Sequence, residues 1–136
     1  MKYHTWFTLT AALAALAAAM SASAQDADTK LDAFFHQYLE ETFHQRPTEA
    51  TRLGDHRFDN LLDDISAQTR AGWLAHARRT LDQLPKQVDK TKLTRDGQVD
   101  FEVFQHHLET EIWLAQNFHP FADDPRTYGV VLATHL

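Results

Sequence analysis

Apolar residues recur every three or four positions along three segments of this 136-residue chain. That spacing places apolar side chains on one side of an α-helix. The helices are predicted from about Asp28 to Gln45, from Ser66 to about Leu84, and after Thr94. The three apolar stripes are Leu31, Phe34, Phe35, Tyr38, Leu39 and Phe43; Trp73, Leu74, Ala77, Leu81 and Leu84; and Phe101, Phe104, Leu108, Ile112 and Ala115. No segment alternates apolar and polar residues as a half-buried strand does, so the sequence predicts an all-α fold, an incomplete helical bundle without a sheet.

Four prolines predict where the helices end. Pro47 is expected to end the first helix and Pro85 the second, because proline lacks the backbone N–H that a helix interior uses. Pro120 and Pro125 are expected to stop the third.

Capping residues and turn residues complete this outline. Ser66 and Thr94 are expected to cap the second and third helices, since their hydroxyls can accept hydrogen bonds from free backbone N–H groups. Residues 46–59 contain Gly54 and two aspartates, Asp55 and Asp59, which predicts an irregular connection between the first two helices.

The first 24 residues have the pattern of a secretory signal peptide. Lys2 precedes an apolar run at residues 6–20, and Ala22 and Ala24 then form an Ala-x-Ala sequence. The run is shorter than the about 20 residues that span a bilayer. We therefore expect residues 1–24 to be removed after Ala24, leaving residues 25–136 as an exported chain, periplasmic or secreted, with no membrane anchor.

The composition excludes several classes of function. Nineteen acidic residues against 13 basic ones give a formal net charge of −6, which is unfavourable for binding nucleic acid. The chain has no cysteine, so disulfides, thiolate metal sites and cysteine nucleophiles are excluded. Ser66 is the only serine outside residues 1–24, and its expected role is a helix cap.

Two groups of His and Glu have the spacing of one helix face, but neither predicts a metal site. They are His36, Glu40 and His44, and Glu102, His106, His107 and Glu111. The outer imidazoles of the first group lie about 12 Å apart along a helix at ~1.5 Å per residue, too far for one zinc with bonds near ~2 Å. The adjacent histidines of the second point about 100° apart. We predict no catalytic residue, no metal site and no cofactor within this chain.

Four segments carry a resemblance to a known family: Leu31–Phe35, Arg46–Asp59, Leu61–Ser66 and Asp124–Tyr128. They resemble the N-terminal part of the bacterial domain of unknown function 885 (DUF885), over nearly all of residues 25–136. The most specific feature is the Pro-x-x-Ala-Thr-x-x-Gly-Asp spacing that begins at Pro47. The resemblance implies a largely helical, often exported protein of several hundred residues, similar to zinc metallopeptidases with a His-Glu-x-x-His helix in their C-terminal part.

No His-Glu-x-x-His sequence occurs in these 136 residues. The resemblance therefore implies that residues 25–136 are the N-terminal helical segment of a larger domain, truncated and inactive alone, whose zinc belongs to a C-terminal region absent here. That region would be the partner of an exposed apolar surface. The apolar stretch at residues 128–136 favours this interpretation. The alternative is a complete small envelope protein that acts by protein–protein contact.

Residues 47–59 allow two interpretations. Arg52, His56 and Arg57 would line part of a substrate cleft completed by the absent region, or the segment would only build a turn around Gly54 and Asp55. Turn chemistry explains the glycine and the aspartate without any ligand. Arg52, His56 and Arg57 are the predicted substrate-binding candidates.

Overall fold

The computed structural model describes the backbone of residues 4–128 and the side chains of residues 24–128. Residues 4–128 form five helices and no strand, which confirms the all-α prediction. None of the described helices is long and apolar enough to cross a membrane. The helices are α1 (His4–Gln45), α2 (Pro47–Arg52), α3 (Ala67–Gln87), α4 (Arg95–Asn117) and α5 (Pro120–Asp123), with single 3-10 turns at His56–Phe58 and Lys90–Lys92.

Helix α1 ends at Gln45 as predicted but begins much earlier than Asp28, at His4. The part of α1 that precedes Asp28 is rich in Ala and Leu and contains neither glycine nor proline, so no residue there strongly disfavours a helix. The cleavage site expected after Ala24 lies within α1 and stays a prediction. The apolar residues 129–136 lie outside the described part of the chain.

Both predicted caps are confirmed. The Ser66 hydroxyl accepts a hydrogen bond from the Thr69 N–H at 3.3 Å, and the Thr94 hydroxyl accepts one from the Gly97 N–H at 3.2 Å. The start of α3 and the start of α4 are therefore determined by local side-chain chemistry.

The prediction that Pro85 ends the second helix is wrong, because α3 continues to Gln87. Near a helix end proline removes a single backbone hydrogen bond. The next turn still forms, since the Val88 N–H donates to the Leu84 carbonyl at 3.0 Å. Leu84 and Val88 are both buried, and their packing holds this last turn on the core.

Two other prolines each follow one helix and begin the next. Pro47 and Pro120 occupy the first turns of α2 and α5, where the missing N–H has no partner to lose. Residues 46–59, which were predicted to form an irregular connection, thus contain the short helix α2. Only beyond α2 does the connection turn sharply, at Gly54, whose φ of 89° is readily adopted by glycine alone.

The core lies between the three long helices. One cluster joins Leu31 and Phe34 of α1 to Leu84 of α3 and Phe101 of α4. Further along α1, a second cluster joins Tyr38 to Ala77 and Leu108. Helix α1 therefore runs antiparallel to α3 and parallel to α4. At its end, α2 and the following turn fold back to bury Phe43, Ala50 and Phe58 together.

Candidate functional site

A groove opens where α1 ends before its two neighbours do. Arg46, just beyond α1, lies over the Trp73 ring and reaches Glu111. From there α3 extends back to Ala67 and α4 extends on to Asn117, about two helical turns each. The α3–α4 groove has a volume of about 560 Å³, and α5 closes its far end. Its walls include Arg70, Trp73 and Leu74 of α3, Leu114 and Ala115 of α4, and Phe118 just after α4.

The rim of the α3–α4 groove is apolar and exposed. Leu114 is 45% exposed and Phe118 is 61% exposed. Large apolar side chains grouped at one place on a surface mark a contact site more often than single exposed ones do. Among the described side chains, nothing covers this group.

A polar cluster lies at the head of the groove, where the three long helices meet. Glu111 of α4 accepts a hydrogen bond from the Arg46 guanidinium at 2.9 Å and lies 3.5 Å from the Tyr38 hydroxyl. The two charged side chains are only 28% and 23% exposed. Burial and the charge of Glu111 raise the pKa of the Tyr38 phenol, so Tyr38 stays a neutral hydrogen-bond donor. We call Tyr38, Arg46 and Glu111 the head cluster.

His76 of α3 supports the head cluster from behind. Its ring is 6% exposed and stacks on Tyr38 with centroids 5.5 Å apart, and its Nδ1 lies 3.4 Å from a Glu41 oxygen. Burial lowers the pKa of His76 although Glu41 opposes that effect, so the ring is neutral at pH 7. Its Nε2, the Trp73 Nε1 and the Thr42 hydroxyl are buried with no hydrogen-bond partner among the described residues.

A second, smaller groove of about 380 Å³ lies on the other side of the head cluster. Glu111 and Leu114 line both grooves, so the two grooves adjoin each other at the head cluster. The second groove is more polar, because His107 and Thr110 of α4 and Glu49 of α2 face it. The whole arrangement suits an apolar segment with a polar end.

The predicted substrate-binding residues lie elsewhere, on the surface of residues 49–59. Arg52 pairs with Glu49 one turn back in α2, and His56 lies 2.9 Å from Asp59. Arg57 bridges Asp55 and Glu40 of α1.

Arg52, His56 and Arg57 share no partner, and neither groove is lined by any of them. Arg57 holds the pKa of the Asp55 and Glu40 carboxyls below their usual range. The Arg57–Glu40 pair fastens the turn to α1, and a role of Arg52, His56 and Arg57 in substrate binding stays a prediction.

Three of the residues in the two histidine and glutamate groups that we considered as metal ligands make other contacts. Glu40 pairs with Arg57, His44 packs edge-on against Phe58, and Glu102 pairs with Lys90. Within residues 24–128 no three His, Asp or Glu side chains are grouped to hold a metal ion.

Sequence reasoning did not identify the head cluster. Tyr38 was assigned to an apolar stripe, Glu111 to a possible metal face and Arg46 to a turn, while His76 was not singled out. One signal was available: Glu111 lies three residues after Leu108 on the buried side of α4, where a carboxylate requires a partner.

The family model described as a bacterial protein of unknown function, DUF885, matches residues 47–134, more than half of the chain. The matched segment holds α2 to α5 and therefore both walls of the α3–α4 groove, whereas Leu31–Phe35 lies before it. No curated protein and no solved structure matches the chain.

Proposed function

Because this chain belongs to the bacterial family of unknown function DUF885, we propose that residues 25–136 are the N-terminal helical scaffold of an exported zinc-dependent hydrolase domain. In this role the chain supplies a docking surface, and the rest of the domain supplies zinc and the catalytic groups. The chain alone neither hydrolyses peptides nor holds zinc tightly.

The observation that carries this proposal is the exposed α3–α4 groove. Leu114 of α4 and Phe118 just beyond its end present apolar surface to water, past the part of α4 that packs on α1. Covering such side chains contributes roughly 25 cal/mol of binding free energy per Å² of apolar surface removed from water, which favours a protein partner. The head cluster at one end adds a polar group that such a partner can meet.

Co-expression with a catalytic region tests the proposal. The chain is tagged and produced together with the C-terminal region, containing His-Glu-x-x-His, of a full-length family member. We expect the two to purify as a complex and to hydrolyse peptides only together, with activity lost on chelation. Leu114→Glu should prevent the complex, whereas Val103→Glu, which alters an exposed apolar position of α4 outside the groove, should not.

Two results would contradict the proposal. One is the absence of a complex, or a complex that Leu114→Glu leaves intact. The other is stoichiometric zinc in the isolated chain after dialysis, lost together with peptide hydrolysis in His36→Ala or His107→Ala. The genomic DNA beyond the codon for Leu136 distinguishes this proposal from the alternative. A stop codon followed by an unrelated gene favours a small envelope protein that acts by protein–protein contact alone.

A further inference from the structure

We propose that the α3–α4 groove is the binding site of an amphipathic α-helix that continues the path of α1 and runs in the same direction. This inference rests on the proposed function, because it specifies the segment with which the partner docks.

The register of the core shows the path. Seven residues separate Leu31 from Tyr38 on α1, and their partners, Leu84 and Ala77 on α3, are seven residues apart in the opposite direction. On α4 the step from Phe101 to Leu108 is again seven. The three helices therefore keep one register between Leu31 and Tyr38 of α1.

The chain leaves this path at Arg46, where the backbone turns into α2. Helices α3 and α4 continue side by side beyond that point, so their next two turns form the groove. Trp73 and Leu74 of α3 line it together with Leu114 and Phe118, and one register step of seven beyond Ala77 and Leu108 come Arg70 and Ala115, which also line it. A groove between two packed helices that lacks its third helix fits a helix best.

The occupant needs only a short apolar face. Two turns present apolar side chains at positions i, i+3 or i+4, and i+7, with polar residues on the other side. A second copy of this chain is disfavoured, because two chains of formal charge −6 repel each other. The fitting partner is a helix with a narrow apolar stripe and no excess of negative charge.

Arg70 determines the direction of the helix. Its guanidinium lies 4.5 Å from the centre of the Phe121 ring at the far end of the groove and donates to the Ile65 carbonyl. No carboxylate among residues 24–128 forms an ion pair with it. At the near end, Glu111 and Arg46 neutralise each other. Since the C-terminus of a helix carries partial negative charge, that end belongs beside Arg70, which gives the direction of α1.

Synthetic helices test the inference on the purified full chain. The probe is a fluorescein-labelled 16-residue peptide of Ala, Gln and Lys with leucines at i, i+4, i+7 and i+11 and one Glu in its last turn. One control spreads the same leucines around the helix, and another places the Glu in the first turn. Fluorescence anisotropy gives each Kd.

We expect the probe to bind at least ~10-fold more tightly than the peptide with spread leucines, and about 3-fold more tightly than the one with Glu in its first turn. Leu114→Glu or Phe118→Glu should weaken binding by ~10-fold or more, with Val103→Glu as the unaffected control. Arg70→Gln should abolish only the preference between the two Glu positions. Circular dichroism verifies that each variant is folded.

Three results would overturn the inference: equal binding of the periodic and spread peptides, binding unaffected by both rim variants, or a concentration-dependent dimer of the chain that Leu114→Glu abolishes. The two proposals can fail separately. Binding of the probe without a complex in co-expression would contradict the scaffold function and support helix binding in the groove. A complex without probe binding would support the scaffold function and contradict helix binding in the groove.

Discussion

Thr42 and Thr80 are both buried helical threonines, 5% and 6% exposed, but they differ in hydrogen bonding. The Thr80 hydroxyl donates to the His76 carbonyl at 3.0 Å, whereas the Thr42 hydroxyl lies near the Tyr38 phenol but has no partner in hydrogen-bond geometry among the described residues. An unpaired buried hydroxyl costs roughly 1–3 kcal/mol. We expect Thr42→Val to raise the free energy of unfolding by about 1 kcal/mol and Thr80→Val to lower it by about the same. Denaturant titration measures both, and equal effects would contradict this reading of the contact between α1 and α3.

His76 makes the stability of the chain depend on pH. Burial lowers its pKa in the folded state, so below the ordinary value of about 6.5 the unfolded chain binds a proton that the folded chain does not. The contribution of His76 to the free energy of unfolding should therefore be constant above that pH and should decrease as the pH falls below it.

Denaturation at pH 7.5 and 5.5 measures this contribution. His76→Phe keeps a ring against Tyr38 and should reduce the loss of unfolding free energy between the two pH values. His106→Gln, at an exposed position, should leave the loss unchanged. An identical pH dependence in His76→Phe and the unaltered chain would show that His76 is protonated equally in both states.

At the scale of the helices, Gly97 allows α1 to approach the start of α4. The Asp28 carboxylate of α1 accepts hydrogen bonds from the Thr94 N–H at 3.1 Å and its hydroxyl at 2.6 Å. A Cβ at position 97 would overlap this carboxylate, lying 3.2 Å from its Cγ. Alanine there gains helix propensity but displaces hydrogen bonds to a charged group, which are worth more.

We therefore expect Gly97→Ala to lower the free energy of unfolding by about 1 kcal/mol. Gly72→Ala, in an open part of α3 with nothing within 4 Å, should raise it by about 0.8–1 kcal/mol. In an Asp28→Ala background the penalty at position 97 should disappear, because the overlapping carboxylate is gone. Thermal unfolding of the four variants measures the coupling, and additive effects would exclude the close approach as its cause.

At the scale of the whole molecule, export stays a prediction with a direct measurement. Mass spectrometry of the chain recovered from a bacterial envelope should give a product beginning at Gln25. Ala24→Gln should block cleavage, since the residue before the cut must be small, whereas Ser23→Gln at the tolerant position between the two alanines should not. Recovery of the uncleaved chain in the cytoplasm would contradict the proposed exported role.

Much of the fold could be predicted because its signals are local. The apolar stripes place Leu31, Ala77 and Leu108 in the core, and the hydroxyls of Ser66 and Thr94 cap α3 and α4 where expected. Each of these outcomes depends on residues within one or two turns of each other. The candidate site could not be predicted in the same way, because Tyr38, Arg46 and Glu111 come from distant parts of the chain.

The sequence by itself determined the helical class, the caps and the sides that the helices bury, since periodicity and capping act over a few residues. Tertiary structure alone decided that α3 passes through Pro85, because burial of Leu84 and Val88 outweighs one lost hydrogen bond. It also decided that α1 stops short of its neighbours and leaves the α3–α4 groove open. That groove depends on how far three packed helices overlap, a quantity that no local pattern of residues contains.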